Sequence, residues 1–238
     1  MKVRDFRREV EAELERTQAR AATERLGPAV ADAETWEAAL ASLQDRRAKP
    51  ESRLAALYTL QAGAFDLAKF APFAAVFVAA LQTVAQAVDE TAELRRAALD
   101  HLANTGDTIA SRVLIEGLEG TQPAAVPPAA ALEMLARDDH GSAVRIATKM
   151  LDVSEEVQVR EQAARILGSD PASAGRLETM MKDTGEANAV RRASAVALRA
   201  LRPDAFGTAA HTVLGNEADT EIDATVRRGL RTSSPKQL

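Results

Sequence analysis

Apolar positions recur along this chain in a nine-residue helical phrase. The sharpest copies are LRRAALDHL from Leu94, VREQAARIL from Val159 and VRRASAVAL from Val190. Looser copies are SRLAALYTL from Ser52, PPAAALEML from Pro127 and IDATVRRGL from Ile222. The starts lie 42, 33, 32, 31 and 32 residues apart. Within a phrase, positions 1, 5 and 9 carry the apolar stripe: Leu94, Ala98 and Leu102, or Val159, Ala163 and Leu167. A spacing of four puts them on one face of a helix, which predicts that they are buried. Alanine in the middle of the stripe lets a neighbouring helix come close. Turn residues follow the phrases, as at Asn104-Gly106-Asp107, Asp138-Asp139, Gly168-Asp170 and Pro203-Asp204. Glycine or asparagine stops a helix by taking left-handed dihedrals, and aspartate starts the next by accepting free backbone N–H groups. A second apolar helix then precedes the next phrase. Helix, tight turn, helix, repeated at a fixed period, predicts a solenoid.

Position 2 of the phrase is arginine in four copies: Arg53, Arg95, Arg160 and Arg191. An aspartate precedes each by six or eight residues: Asp45, Asp89, Asp152 and Asp183. These pairs are expected to form a ladder between successive repeats. The V/L-R-x-x-A-A-x-x-L phrases, with the preceding aspartate, resemble the HEAT repeat family in its short, phycocyanobilin-lyase-like form, over residues 35–231. The fold expected is all-α: a right-handed α-solenoid (HEAT-like superhelix) of about six helical pairs plus an N-terminal helix. The resemblance implies that the phrase helices are the second of each pair and line the concave face.

Three segments were expected along the chain. Residues 1–26 read as an amphipathic capping helix, with Val3, Phe6, Val10 and Leu14 striped among charges. A short coiled coil or partner helix is the rival reading there. Residues 27–231 form the solenoid, and 232–238 a disordered tail. The long first spacing adds residues mostly between Phe65 and Val88. That segment holds Phe65, Phe70, Phe73 and Phe77, four of the six phenylalanines. A thicker core is one reading; an apolar docking patch is the other. The apolar run from Phe70 to Leu81 is short against the roughly 20 residues that cross a bilayer.

Composition sharpens this picture in two respects. Aromatic residues are 3% of the 238-residue chain, while the good helix formers alanine, leucine, arginine and glutamate abound. The net charge is −5; acidic and basic residues nearly balance over residues 1–50 and 121–238, residues 51–120 are acidic, and no basic arm is available to displace counterions from a nucleic acid. There is no cysteine, which suits a cytoplasmic protein.

The residues offer little chemistry. The three histidines, His101, His140 and His211, lie far apart and in no metal-ligand spacing. HEAT-like metal hydroxylases carry paired His-Glu motifs for iron, and this chain has none. Neither a phosphate-binding G-x-x-x-x-G-K-[ST] loop nor a G-x-S-x-G elbow occurs. The reading is therefore a non-enzymatic, protein-binding scaffold or adaptor with no cofactor and no metal, whose partner is another protein rather than nucleic acid. The resemblance keeps two alternatives open. One is a DNA-binding enzyme like the HEAT-like alkylpurine glycosylases, with Trp36 and Tyr58 as pocket residues. The other is a bilin-lyase-like or chaperone subunit. Partner contacts are expected at phrase positions 3 and 7, beside the buried stripe: Arg96, Asp100, Glu133, Glu161, Arg165, Arg192 and Arg228.

Overall fold

A computed structural model describes residues 32–137, 140–214 and 220–233. The capping helix expected at 1–26 lies outside them, as does the tail beyond Ser233. Among the described residues the chain forms helices and turns and no strand. In order, α1 spans Ala33–Gln44, α2 Pro50–Gly63, α3 Leu67–Gln86 and α4 Ala92–Asn104. Next come α5 at Thr108–Leu118, α6 at Pro128–Leu135, α7 at His140–Val153 and α8 at Val157–Leu167. A 3-10 turn at Pro171–Ser173 leads into α9 at Ala174–Lys182. The last three are α10 at Asn188–Leu201, α11 at Pro203–Leu214 and α12 at Thr220–Ser233. The six phrases fall on the even-numbered helices from α2 to α12, so the repeat is structural.

Local chemistry sets the boundaries. The Asp32 carboxylate accepts the Thr35 N–H at 2.9 Å and starts α1. Asp107 accepts from Ile109 N and Ala110 N at 2.9 and 3.1 Å and starts α5. Pro50 and Pro128 open α2 and α6, where a missing N–H costs nothing. After α4, Gly106 turns the chain at a φ of 73°, as a left-handed stop requires. Gly168 behaves differently, with a φ of −65°. Its reason is space: a Cβ there would lie 2.9 Å from the Ala197 Cβ, so glycine lets α8 and α10 meet.

The chain divides into two compact units, residues 1–77 and 78–238, with α3 running across the boundary. In the first, α1 and α2 pack together through Leu40, Leu43, Leu57 and Leu60. Trp36 lies at the centre of an aromatic cluster. Its ring meets Phe70 edge-on at 5.3 Å between centroids, and Phe73 at 5.6 Å. Phe70 meets Phe77 edge-on at 5.8 Å. Gly63 makes this possible, since a Cβ there would be 2.5 Å from Trp36 Nε1. Phe70 and Phe77 are thus core and Phe73 is half-buried, while Phe65 is 91% exposed.

In the second unit the phrase helices α4, α6, α8, α10 and α12 pack side by side in chain order. The predicted stripe is buried: Leu94, Ala98 and Leu102; Val159, Ala163 and Leu167; Ile222 and Val226. In the Val190 phrase the middle position is Ser194, fully buried, with no hydrogen-bond partner for its hydroxyl among the described residues.

The apolar run expected to be short is the middle of a longer helix. α3 has 20 residues with a mean hydropathy of 1.6, enough by length and composition to cross a membrane. Within the folded chain it buries Phe70, Phe77, Leu81 and Val84, while Leu67, Val76 and several alanines are exposed.

Candidate functional site

The phrase arginines act first as clamps within a pair. Arg53 Nε donates to Leu43 O at 3.0 Å, and Arg191 Nε to Met181 O at 3.2 Å. Arg95 reaches Ala85 O through Nε at 3.3 Å and Nη2 at 3.2 Å. Each carbonyl lies ten residues back, in the last turn of the preceding helix, where the backbone leaves acceptors unfilled. These bonds run inside a pair. At Arg160 the link does run onward, to Glu186 just before α10. Asp152, in α7, pairs with Arg176 of α9 rather than with a phrase arginine.

Phrase position 7 is the solvent line. Tyr58, Glu133, Arg165, Val196 and Arg228 are exposed there and Asp100 is half-buried. Position 3 is more enclosed: Arg96 is exposed, but Glu161 and Arg192 are half-buried. Along the second unit the line changes character. Asp100 and Glu133 come first, and Arg137 ties them together. Its Nη1 donates to Asp100 at 2.7 Å and to Asn104 Oδ1 at 3.1 Å, and its Nη2 to Glu133 at 3.2 Å. The Asp100 bond is the main reason that Arg137 holds its proton more tightly than usual. Sequence reasoning missed Arg137 because it lies past the end of the phrase, in a turn. Its signal was two unpaired acids at position 7 of successive phrases.

The later part of the line is basic and apolar, and it opens into two clefts. One, of about 260 Å³, is lined by Ala136, Ala143, Gln162, Arg165, Ile166 and Ser169. The other, of about 230 Å³, is lined by Val196, Arg199, Phe206, Thr225, Arg228 and Gly229 among others. They are equivalent. Each takes positions 4, 7 and 8 of one phrase helix, the end of the preceding phrase helix, and the helix between. Each presents an arginine at position 7. Arg165 is paired with Glu161, one turn away. Between the clefts the Gly168–Ala197 approach closes the corresponding space.

The structure thus brings Asp100 and Glu133 onto one guanidinium and pairs Glu161 with Arg165. It places Arg165 and Arg228 in matching clefts. Arg96 is exposed and makes no hydrogen bond or ion pair among the described residues. Arg192 is half-buried on the same helix as the second cleft's Val196 and Arg199. His101 is half-buried beside Asp100; burial lowers its pKa, and the Asp100 charge opposes that. Among the described residues no three His, Cys, Asp or Glu side chains are grouped as metal ligands.

No family model and no curated protein matches the chain. Among solved structures, the chain is similar to human deoxyhypusine hydroxylase in complex with glycerol, at 17% identity and a TM-score of 0.38, over 88% of this chain and 99% of that one. A hydroxylase is an enzyme, and the expectation of a non-enzymatic scaffold or adaptor is corrected on that finding. That expectation rested on motifs that the chain lacks, and the absence of a known motif does not exclude catalysis. At that level of likeness the match assigns no activity to this chain.

Proposed function

We propose that this chain is a HEAT-type repeat protein that binds another protein along phrase position 7 of its second unit. The recurrence of the same cleft at the same phrase positions, each time with an arginine at position 7, carries the reading. Arginine offers planar, multidentate hydrogen bonding and is favoured at protein interfaces for that reason. The apolar lining, Ile166 in one cleft and Val196 and Phe206 in the other, adds surface that a side chain from a partner would cover. Asp100 and Glu133, held by Arg137, give the line an acidic start and a basic end, which would fix the direction in which a partner lies. The cysteine-free composition supports a cytoplasmic location.

The test is site-directed photocrosslinking in the native cell. A photoreactive residue replacing Gln162 or Thr225, one in each cleft, is expected to trap the same protein. The double variant Arg165→Glu/Arg228→Glu is expected to abolish that adduct while its thermal melt stays close to wild type, because exposed substitutions change stability by only about 0.5 kcal/mol. An adduct unchanged by the double reversal, or formed equally by a photoreactive residue at exposed Ala68, would overturn the reading.

A further inference from the structure

A guanidinium has five N–H donors and keeps its proton throughout the accessible pH range. Burying one is costly unless its charge and its donors are met. The clamp to a backbone carbonyl uses only part of that capacity, so the remaining donors of each phrase arginine are informative. Arg160 gives an Nη2 donor to the Glu186 carboxylate. Arg53 and Arg191 are engaged beyond their clamp carbonyls. Arg95 differs. It is 6% exposed, and both of its hydrogen bonds go to the single oxygen of Ala85. No carboxylate lies within ion-pair distance of it among the described residues, and burial alone pushes its pKa down.

Arg95 lines a cleft of about 270 Å³ together with Gln86, Val88, Arg112, Glu116 and Gln122. Arg112 is exposed at its edge, and its Nη2 donates to Gln86 Oε1 at 3.1 Å, which holds a second guanidinium at the mouth. A buried cation without a counter-ion among the described residues, a second cation beside it and an open volume between helix ends form a built recess for negative charge. We propose that this cleft binds a small oxyanion, a carboxylate or phosphate group, between Arg95 and Arg112. Glu116 is half-buried in the same cleft and pairs with neither arginine. Its carboxylate repels a second negative group and accepts a hydrogen bond, so the ligand carries one anionic end and a hydroxyl or ammonium donor. The volume suits a small acid and is too small for a nucleotide. This site is separate from the position-7 clefts, and its occupancy does not depend on a protein partner.

Isothermal titration of the full chain with sodium phosphate and with sodium acetate, at matched ionic strength, tests the proposal. At least one probe is expected to saturate a single site, and which one does so separates a phosphate site from a carboxylate site. Arg112→Gln leaves the Ala85 clamp intact. It is expected to weaken that binding about tenfold or more, the worth of a charge-assisted hydrogen bond. Glu116→Gln is expected to bind the same probe at least as tightly as wild type. Absence of saturation by both probes overturns the proposal. So does saturation that Arg112→Gln leaves unchanged, because the anion would then be held elsewhere.

Discussion

The two units carry the same nine-residue phrase and fill the space around it in opposite ways. In the first, Trp36 spreads its ring over Gly63 and against Phe70 and Phe73. In the second, small residues at Ala98, Ala131, Ala163 and Gly168 let helices come together, and leucines fill the rest. Both solutions leave buried donors without a partner among the described residues: Trp36 Nε1 in the first unit, and Ser194 Oγ with the Nε atoms of Arg160 and Arg176 in the second. The difference teaches that the phrase specifies a helix and its inward face, while the size of the opposing residue decides how near the neighbour lies. A single large ring makes stability depend on one residue. A row of small residues spreads it over many.

The largest expected effect tests that dependence. Trp36→Ala is expected to cost about 3–5 kcal/mol, as a buried aromatic truncation. Gly63→Ala is expected to cost about 1–3 kcal/mol by forcing the indole off its seat. Urea denaturation reads both, and a cost below about 1 kcal/mol for Trp36→Ala would break the contrast between the units.

A smaller effect of opposite sign is expected in the second unit. Ser194 occupies the position that alanine holds in the Leu94 and Val159 phrases, and its hydroxyl is buried without a partner among the described residues. Ser194→Ala is expected to stabilise the fold by about 1 kcal/mol, since it removes an unmet polar group and restores the repeat's own residue. A destabilised variant in the same urea experiment would mean that the hydroxyl has a role the packing does not reveal.

The smallest effect is in acid, where the units are expected to behave alike. Asp32 caps α1 and Asp170 opens the 3-10 turn before α9. Each carboxyl is held below its ordinary pKa, first by a hydroxyl donor, Thr35 in one case and Ser173 in the other, and then by a backbone N–H. A depressed folded pKa means that the unfolded chain binds more protons. The stabilisation is therefore present above the unfolded aspartate pKa and is lost as pH falls through the folded one. Asp32→Asn and Asp170→Asn are each expected to flatten the dependence of melting temperature on pH below about pH 4 and to leave it unchanged near neutrality. An acid limb that both variants leave as steep as wild type would assign it to other carboxylates.

Much of the fold was legible from local pattern. The stripe at Leu94, Ala98 and Leu102 is buried because a spacing of four places any three residues on one helix face. The starts at Asp107 and Asp170 could be read because a cap acts over two or three residues. The candidate site was legible only in part. Position 7 was rightly placed beside the stripe, yet nothing local indicated that Arg137, beyond the phrase, binds Asp100 and Glu133 together. Nor did spacing show that Arg165 and Arg228 open onto clefts while Gly168 and Ala197 meet between them. The clamp role of the phrase arginines was not legible, because the backbone carbonyl that each one meets is brought within reach only by the folded pair.

The amino-acid sequence alone determined the helices, their period, their caps and the inward face of each phrase, because these depend on residues within a turn or two of one another. Tertiary structure decided which side chains share a space. It set Trp36 on Gly63, brought Ala197 to Gly168, buried Arg95 with no carboxylate at ion-pair distance among the described residues and opened recesses beside Arg165, Arg228 and Arg95. Those outcomes depend on distances between helices, and these are set by side-chain volumes summed across neighbours that lie tens of residues apart in the chain.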